Sequence, residues 1–246
     1  MCRLIETVIR LPYFQITLQE IKKMKRAVFG ISVAVFAFAV FYGSSTNAVN
    51  RPFEERFPIQ TGESGTYNFD KNHSVIAFKV KHNGLIEIPG FFRDFTGTIN
   101  YDAKDPSKSS VTFTAKVASI DTGVVNRDNH LRTADFFEVE KYPDLTFKST
   151  KVEKKGDGWA VTGDFTMKGV TKSVTIPFNL TGFLPGGQRS GPRMGITAAT
   201  TVNRRDYGVN WGGNIPGTST PVVADNIDIV LQIEAVQPRA TPAPAE

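Results

Sequence analysis

The sequence predicts an all-β fold, a single antiparallel β-barrel of about eight strands with one short helical connection. Three observations predict it. Apolar residues recur with a period of two over most of residues 65–236. Glycine, proline and aspartate cluster between those runs, where tight reversals are needed. The longest interruption of the alternation, residues 125–143, reads as one short helix.

The elements follow in order. Ile76, Phe78 and Val80 alternate with Ala77, Lys79 and Lys81, and Val111, Phe113, Ala115 and Val117 with Thr112, Thr114 and Lys116. Val161, Phe165 and Met167 share a parity, as do Val174, Ile176, Phe178 and Leu180. Met194, Ile196, Ala198 and Val202 form another stripe, and Ile227, Ile229, Leu231 and Ile233 the last. One face of each strand is thus apolar and the other wet. Gly156-Asp157-Gly158 is a hairpin signal, and Lys168-Gly169 a second reversal. In the interruption, Asn126 or Asp128 is expected to cap the helix, with Leu131, Phe136 and Phe137 facing the barrel.

One-sided strands joined by hairpins close on themselves to remove exposed edges. A barrel of this size is either filled by its side chains or holds one small ligand, and alternation alone does not separate the two. In a hollow barrel the apolar wall would comprise Ile76, Phe78, Val80, Val111, Phe113, Val117, Phe165, Met167, Ile176, Phe178, Ile196, Ile229 and Leu231.

Charge and cysteine usage narrow the function. The formal net charge of +5 belongs to the start of the chain. Six of the 29 bases and two of the 24 acids lie in residues 1–48, leaving 23 against 22. A near-neutral domain of this kind has no footprint for nucleic acid. The single cysteine, Cys2, leaves the rest of the chain without disulfides, thiol catalysis, thiolate zinc or iron–sulfur chemistry.

The basic cluster at 22–26, the apolar run at 27–42 and the small polar residues at 43–48 follow the order of a secretory signal peptide. Cleavage is expected after Ala48. The run is shorter than the roughly 18 residues of a membrane span, so no stable span is expected after processing. Translation from Met24 and a long leader from Met1 both fit. Residues 49–64 read as a flexible linker, and the Pro/Ala-rich residues 237–246 as a disordered tail.

The run HSVIAFKVKH at 73–82 resembles the opening motif of the YceI-like family of periplasmic, polyisoprenoid-binding proteins. GFF at 90–92 and FTG at 95–97 are similar to that family's second strand, and RDNHLRTADFF at 127–137 with KYP at 141–143 to its most distinctive stretch. GDFTM at 163–167, GVTK at 169–172 and NRRDYG at 203–208 complete the set in order. Departures are small: Thr133 stands where the family usually has Ser, Glu138 where Asp is usual, and Ser173 where Pro is common. The resemblance implies a lipocalin-like barrel in the periplasm, with an apolar pore occupied by an isoprenoid or acyl lipid and no catalytic cofactor.

The polar candidates carry alternatives. His73 and His82 are nine apart and point to opposite faces of a regular strand, so they do not join His130 in a metal site. His82 shares the parity of Ile76, Phe78 and Val80, and either caps the strand or touches a ligand head. Arg127, Asp128, His130 and Arg132 either pair among themselves, Asp128 with an arginine, or form a polar mouth. Arg204 and Asp206 either pair with each other or contribute to that mouth. No serine elbow, phosphate loop, dinucleotide fingerprint or zincin pair is present. Lipid binding or transport is therefore the leading expectation. An enzyme using His130 or His82 as acid–base, and a filled structural or stress-related barrel, are the alternatives. A homodimer through a barrel face is compatible with the pattern.

Overall fold

The computed structural model describes residues 61–187 and 190–238. The leader expected at 1–48, and the parts of the linker and tail beyond those limits, lie outside the described residues. Eleven strand segments follow one another: β1 (Gly65–Phe69), β2 (Val75–His82), β3 (Ile86–Phe92), β4 (Phe95–Tyr101), β5 (Ser110–Lys116) and β6 (Ile120–Asp121). After helix α1 (Val125–Arg132) come β7 (Asp144–Lys155), β8 (Gly158–Met167), β9 (Val170–Leu184), β10 (Arg193–Asn203) and β11 (Val223–Val236).

The segments make eight antiparallel staves. β1 pairs with β4 and β2 with β3, so β1–β2 and β3–β4 are two bent staves lying side by side. β5–β6 is a third, because β5 pairs with β4 and β6 with β3. β7 to β11 then follow as a simple meander, and β11 pairs back with β2 and β1 to close the ring. This is the expected antiparallel barrel. The helix also forms, but neither Asn126 nor Asp128 caps it. Val124 occupies the cap position, and Asp128 instead accepts from the Thr122 amide at 2.9 Å and from its hydroxyl. That bond ties the first turn of α1 to the end of β6, which a helix with almost no amphipathic periodicity needs for its position.

Local chemistry sets the turns. Lys168 and Gly169 both adopt positive φ, at 50° and 74°, as the two-residue reversal between β8 and β9 requires. Bulges do what the alternation does not show. The β7–β8 register slips between Ser149 and Lys151, and the extra residue returns Val152 to the inner face that Leu145 and Phe147 occupy. A slip between Gly195 and Ile196 likewise brings Phe183 inward after Leu180.

The seam where β11 meets β1 and β2 leaves a gap at residues 70–74. Ser74 fills it. Its buried hydroxyl accepts from the Glu234 amide, replacing the ladder partner that the break removes, and donates to the Glu234 carbonyl beside the Asp70 amide, both its bonds at 3.0 Å. Arg193 on β10 donates to Asp70 at 3.0 Å and to the Glu234 carboxylate, and His73 lies 2.9 Å from Asp70. The hydrogen bond from His73, and then that from Arg193, hold the Asp70 carboxyl below its usual range.

Two outcomes are expected at the seam. Ser74→Ala strands a buried amide and weakens a carbonyl's bonding, so it should lower stability by about 1–3 kcal/mol, read from the denaturant midpoint; an unchanged midpoint would remove Ser74 from closure. Because the folded state depresses the Asp70 pKa, its contribution is full above the ordinary carboxylate range and is lost as pH falls through the lowered value. Asp70→Asn should therefore flatten the acid limb of the stability profile. An acid limb as steep as that of the parent would place the titration elsewhere.

An apolar lumen and the end that covers it

The inward stripes of the eight staves meet around a cavity enclosing about 1330 Å³, its open mouth included. Its wall is apolar, and the register keeps like side chains level. Phe113 lies opposite Phe147 and Phe147 opposite Phe165, while Ile229 faces Phe78 and Leu231 faces Ile76. Many of these residues are only half-buried, because their inner surfaces border the cavity rather than a packed neighbour. The buried core correspondingly divides. A large cluster around Tyr67, Ile120 and Met194 packs one side and the barrel ends, and a small one of Phe147, Val152 and Val161 packs the β7–β8 wall.

Glycines hold the rings against the wall. A Cβ at Gly90 would stand 2.2 Å from Cζ of Phe78, and one at Gly97 would stand 2.5 Å from Cδ2 of Phe69. Each ring therefore lies flat over a strand glycine instead of projecting into the lumen. At the other end Pro106, Ser109, Val152 and Trp159 edge the cavity beside the β4–β5 and β7–β8 connections.

A smaller cavity of about 660 Å³ lies under α1 and is bounded by Leu131, Phe136 and Phe137, as the helix reading anticipates for those three. It shares Phe78, Phe92, Leu145, Phe165, Val202 and Ile229 with the larger one. Of the thirteen expected wall residues, Ile76, Phe78, Val111, Phe113, Phe165, Ile176, Phe178, Ile196, Ile229 and Leu231 border the main cavity. Val80 and Met167 border the smaller one. Val117 does not reach either. It begins the 3-10 turn between β5 and β6, where the strand bends, and is buried in the core.

The expected polar mouth does not assemble. His82 is exposed on the last residue of β2, beyond the end of the inward stripe, and borders neither cavity. Arg127 donates to the hydroxyl and carbonyl of Thr122, both at 2.7 Å, and Asp128 also bonds Thr122, not an arginine. Arg132 reaches the carbonyls of Ala118 and Ile120. His130 pairs with Asp135 at 2.7 Å and packs edge-on against Phe136 and Trp211. His73 stands at the seam with Asp70 and Glu234, but the Arg193 guanidinium bonds both carboxylates, so the cluster is an ion-pair network.

Arg204 alone among the polar candidates borders a cavity. It is 3% exposed and sits at the wall of the smaller one. Its guanidinium donates to the carbonyls of Ala224, Val209 and Val223 at 3.0, 2.7 and 3.1 Å, and reaches Asp225 at 3.3 Å. Its acid partner is thus Asp225, shared with Arg205, and not Asp206, which faces Lys172. Burial draws the Arg204 pKa down from its ordinary value, and the neighbouring Arg205 adds to that. The missed signal was the distance in sequence: Asp225 is 21 residues from Arg204, and only the barrel brings β11 beside the bend after β10.

Arg204→Met should cost about 3 kcal/mol or more, since it leaves three carbonyls without their donor and Asp225 with Arg205 alone. Chemical denaturation measures it. A loss under about 1 kcal/mol would mean that the guanidinium is dispensable to the fold.

The YceI-like domain model matches residues 67–235. Protein YceI of Escherichia coli O17:K52:H18 is 34% identical over 183 residues, covering 74% of this chain and 92% of that protein. Among solved structures, BcnA of Burkholderia cenocepacia is similar with a TM-score of 0.59 at 25% identity, covering 68% of this chain and 99% of that one. A polyisoprenoid binding domain from Saccharophagus degradans shares the fold at 14% identity and a TM-score of 0.51, covering 72% of this chain and all of that one. With strands β1 to β11 almost wholly inside the matched span, this chain belongs to the YceI-like family.

Proposed function

We propose that the barrel binds one long apolar lipid, an isoprenoid, a prenyl quinone or a fatty-acyl derivative, and carries it in the periplasm after export by the leader at 22–48. The observation that carries this reading is the unfilled lumen. Inward side chains such as Phe113, Ile176 and Leu231 are half-exposed to an apolar cavity, where a filled barrel would have buried them. The length of the space supports a chain ligand. The main cavity runs from Pro106 and Trp159 at one end to Val202 at the other, and the smaller cavity extends the same wall beneath α1. The description of the Saccharophagus degradans domain as polyisoprenoid-binding agrees with this ligand class.

Apolar burial supplies the affinity. At about 0.3 kcal/mol per heavy atom, a chain of about thirty atoms gains about 9 kcal/mol, in the sub-micromolar range. No charged anchor is needed for that. The only charged candidate at a cavity wall, Arg204, already spends its donors on the backbone. Selectivity on this reading rests on chain length and shape, and the protein acts as a binder without catalysis.

Native mass spectrometry of the protein recovered from the periplasm, followed by organic extraction, tests the proposal. A stoichiometric adduct that extracts as a prenyl or acyl lipid is expected. Phe113→Asp, which sets a carboxylate in the lumen, should lose the adduct, while Thr112→Asp on the exposed face of β5 should keep it. A bare mass after incubation with prenyl quinones and fatty amides, or a folded Phe113→Asp protein with its lipid intact, would sink the reading.

A further inference from the structure

The exposed large apolar side chains gather at one end. Among the described residues there are eight, and six of them, Leu85, Ile86, Val124, Val125, Val170 and Trp211, lie on or beside the connections at the helix-covered end. Leu85 is 80% exposed, Val125 73% and Ile86 59%. Val75 lies within β2, and Leu184 ends β9 at the opposite end.

These connections form one surface. The Asn83 amide donates to the Val222 carbonyl at 2.9 Å, which sets the β2–β3 turn against the loop before β11. The His130 and Trp211 rings lie 5.1 Å apart, joining that loop to α1. Nζ of Lys168 donates to the Ala134 carbonyl at 3.0 Å, which brings the β8–β9 turn to the segment after α1.

We propose that this end of the barrel docks onto the surface of a lipid bilayer. The apolar residues stand on separate tips with polar residues between them. A protein partner needs a continuous, complementary face of roughly 800 Å² per side, whereas a bilayer accepts each tip independently. The charge at the tips suits anionic headgroups. Lys81 precedes Leu85, Arg127 follows Val125, and Lys168 precedes Val170; among the described residues none of the three pairs with a carboxylate. Cations beside apolar tips, with a part-exposed Trp on the same end, are what an interface favours.

The surface also leads inward. The segment that carries Val124 and Val125 on its outside goes on to Leu131, Phe136 and Phe137, which bound the smaller cavity, and that cavity shares its wall with the lumen. The purpose of docking, to load or deliver a membrane lipid, rests on the proposed lipid-binding reading. The docking itself does not.

Co-sedimentation of the periplasmic protein with vesicles of phosphatidylglycerol and phosphatidylcholine tests the surface. Leu85→Asp with Val125→Asp should weaken vesicle binding about tenfold or more, with the fold unchanged by circular dichroism because both sites are solvent-exposed. Leu184→Asp, at the far end, should bind as the parent does. Any attachment through the leader is the same in all three proteins and does not enter the difference. A parent that binds no better than the double variant overturns docking, whether or not its barrel carries lipid. A barrel without lipid that still binds vesicles through Leu85 and Val125 upholds docking and sinks the carrier reading. Self-association through these residues in sedimentation velocity, without vesicle binding, would assign the end to a second copy and overturn the bilayer.

Discussion

Closure of the sheet at β11 is the constraint on which the rest of the structure depends. An antiparallel sheet of eight staves has two edges, and only their union removes the unpaired amides and carbonyls they present. Here the union is made by a stave that bends. β1 pairs with the last residues of β11 and β2 with the remainder, so a gap opens between them. Ser74 supplies the acceptor for the Glu234 amide at that gap and joins the Asp70 amide on its carbonyl, and Arg193 binds the carboxylates of Asp70 and Glu234 across three neighbouring staves. With the ring closed, every apolar stripe has one shared interior to face.

That interior stays open because its lining is held back. Eight staves leave room that side chains are just able to fill, and this chain carries the rings to fill it. Phe78 and Phe69 instead lie over Gly90 and Gly97, and bulges in β7 and β9 re-aim Val152 and Phe183 so that the wall continues past the bend in each stave. The core is therefore packed between staves at the ends and left thin along the lumen. An apolar ligand of matching length would complete the packing that the protein leaves unfinished.

The two ends differ in kind. One is edged by short hairpins and the loop at Pro106. The other is covered by α1, whose place is fixed by Asp128 on Thr122 and by Arg132 on the carbonyls of Ala118 and Ile120. Arg204 secures the loop beside it by bonding three carbonyls with one guanidinium. These polar groups, which in sequence resemble a binding mouth, are spent on holding the cover. Around the cover stand exposed apolar tips, Leu85, Ile86, Val124, Val125 and Val170, and their gathering at one end is what marks it as a contact surface.

Period-two alternation by itself determined the fold class and a large part of the wall, because the parity of a strand residue decides its face whatever the neighbouring strand is. Twelve of the thirteen residues read as wall border a cavity; Val117 does not, since a 3-10 turn begins where its strand pattern continues, and Phe69, Phe92, Tyr101, Leu145 and Phe147 line the lumen without having been read as wall. Whether the barrel is hollow lay beyond alternation, for the same stripes describe a packed interior and a lined one. Only the tertiary structure decided it, through rings laid over glycines on adjacent staves. The polar partners were equally out of reach. Arg204 finds Asp225 and Ser74 finds Glu234 across 21 and 160 residues, pairings that exist only once the sheet has closed.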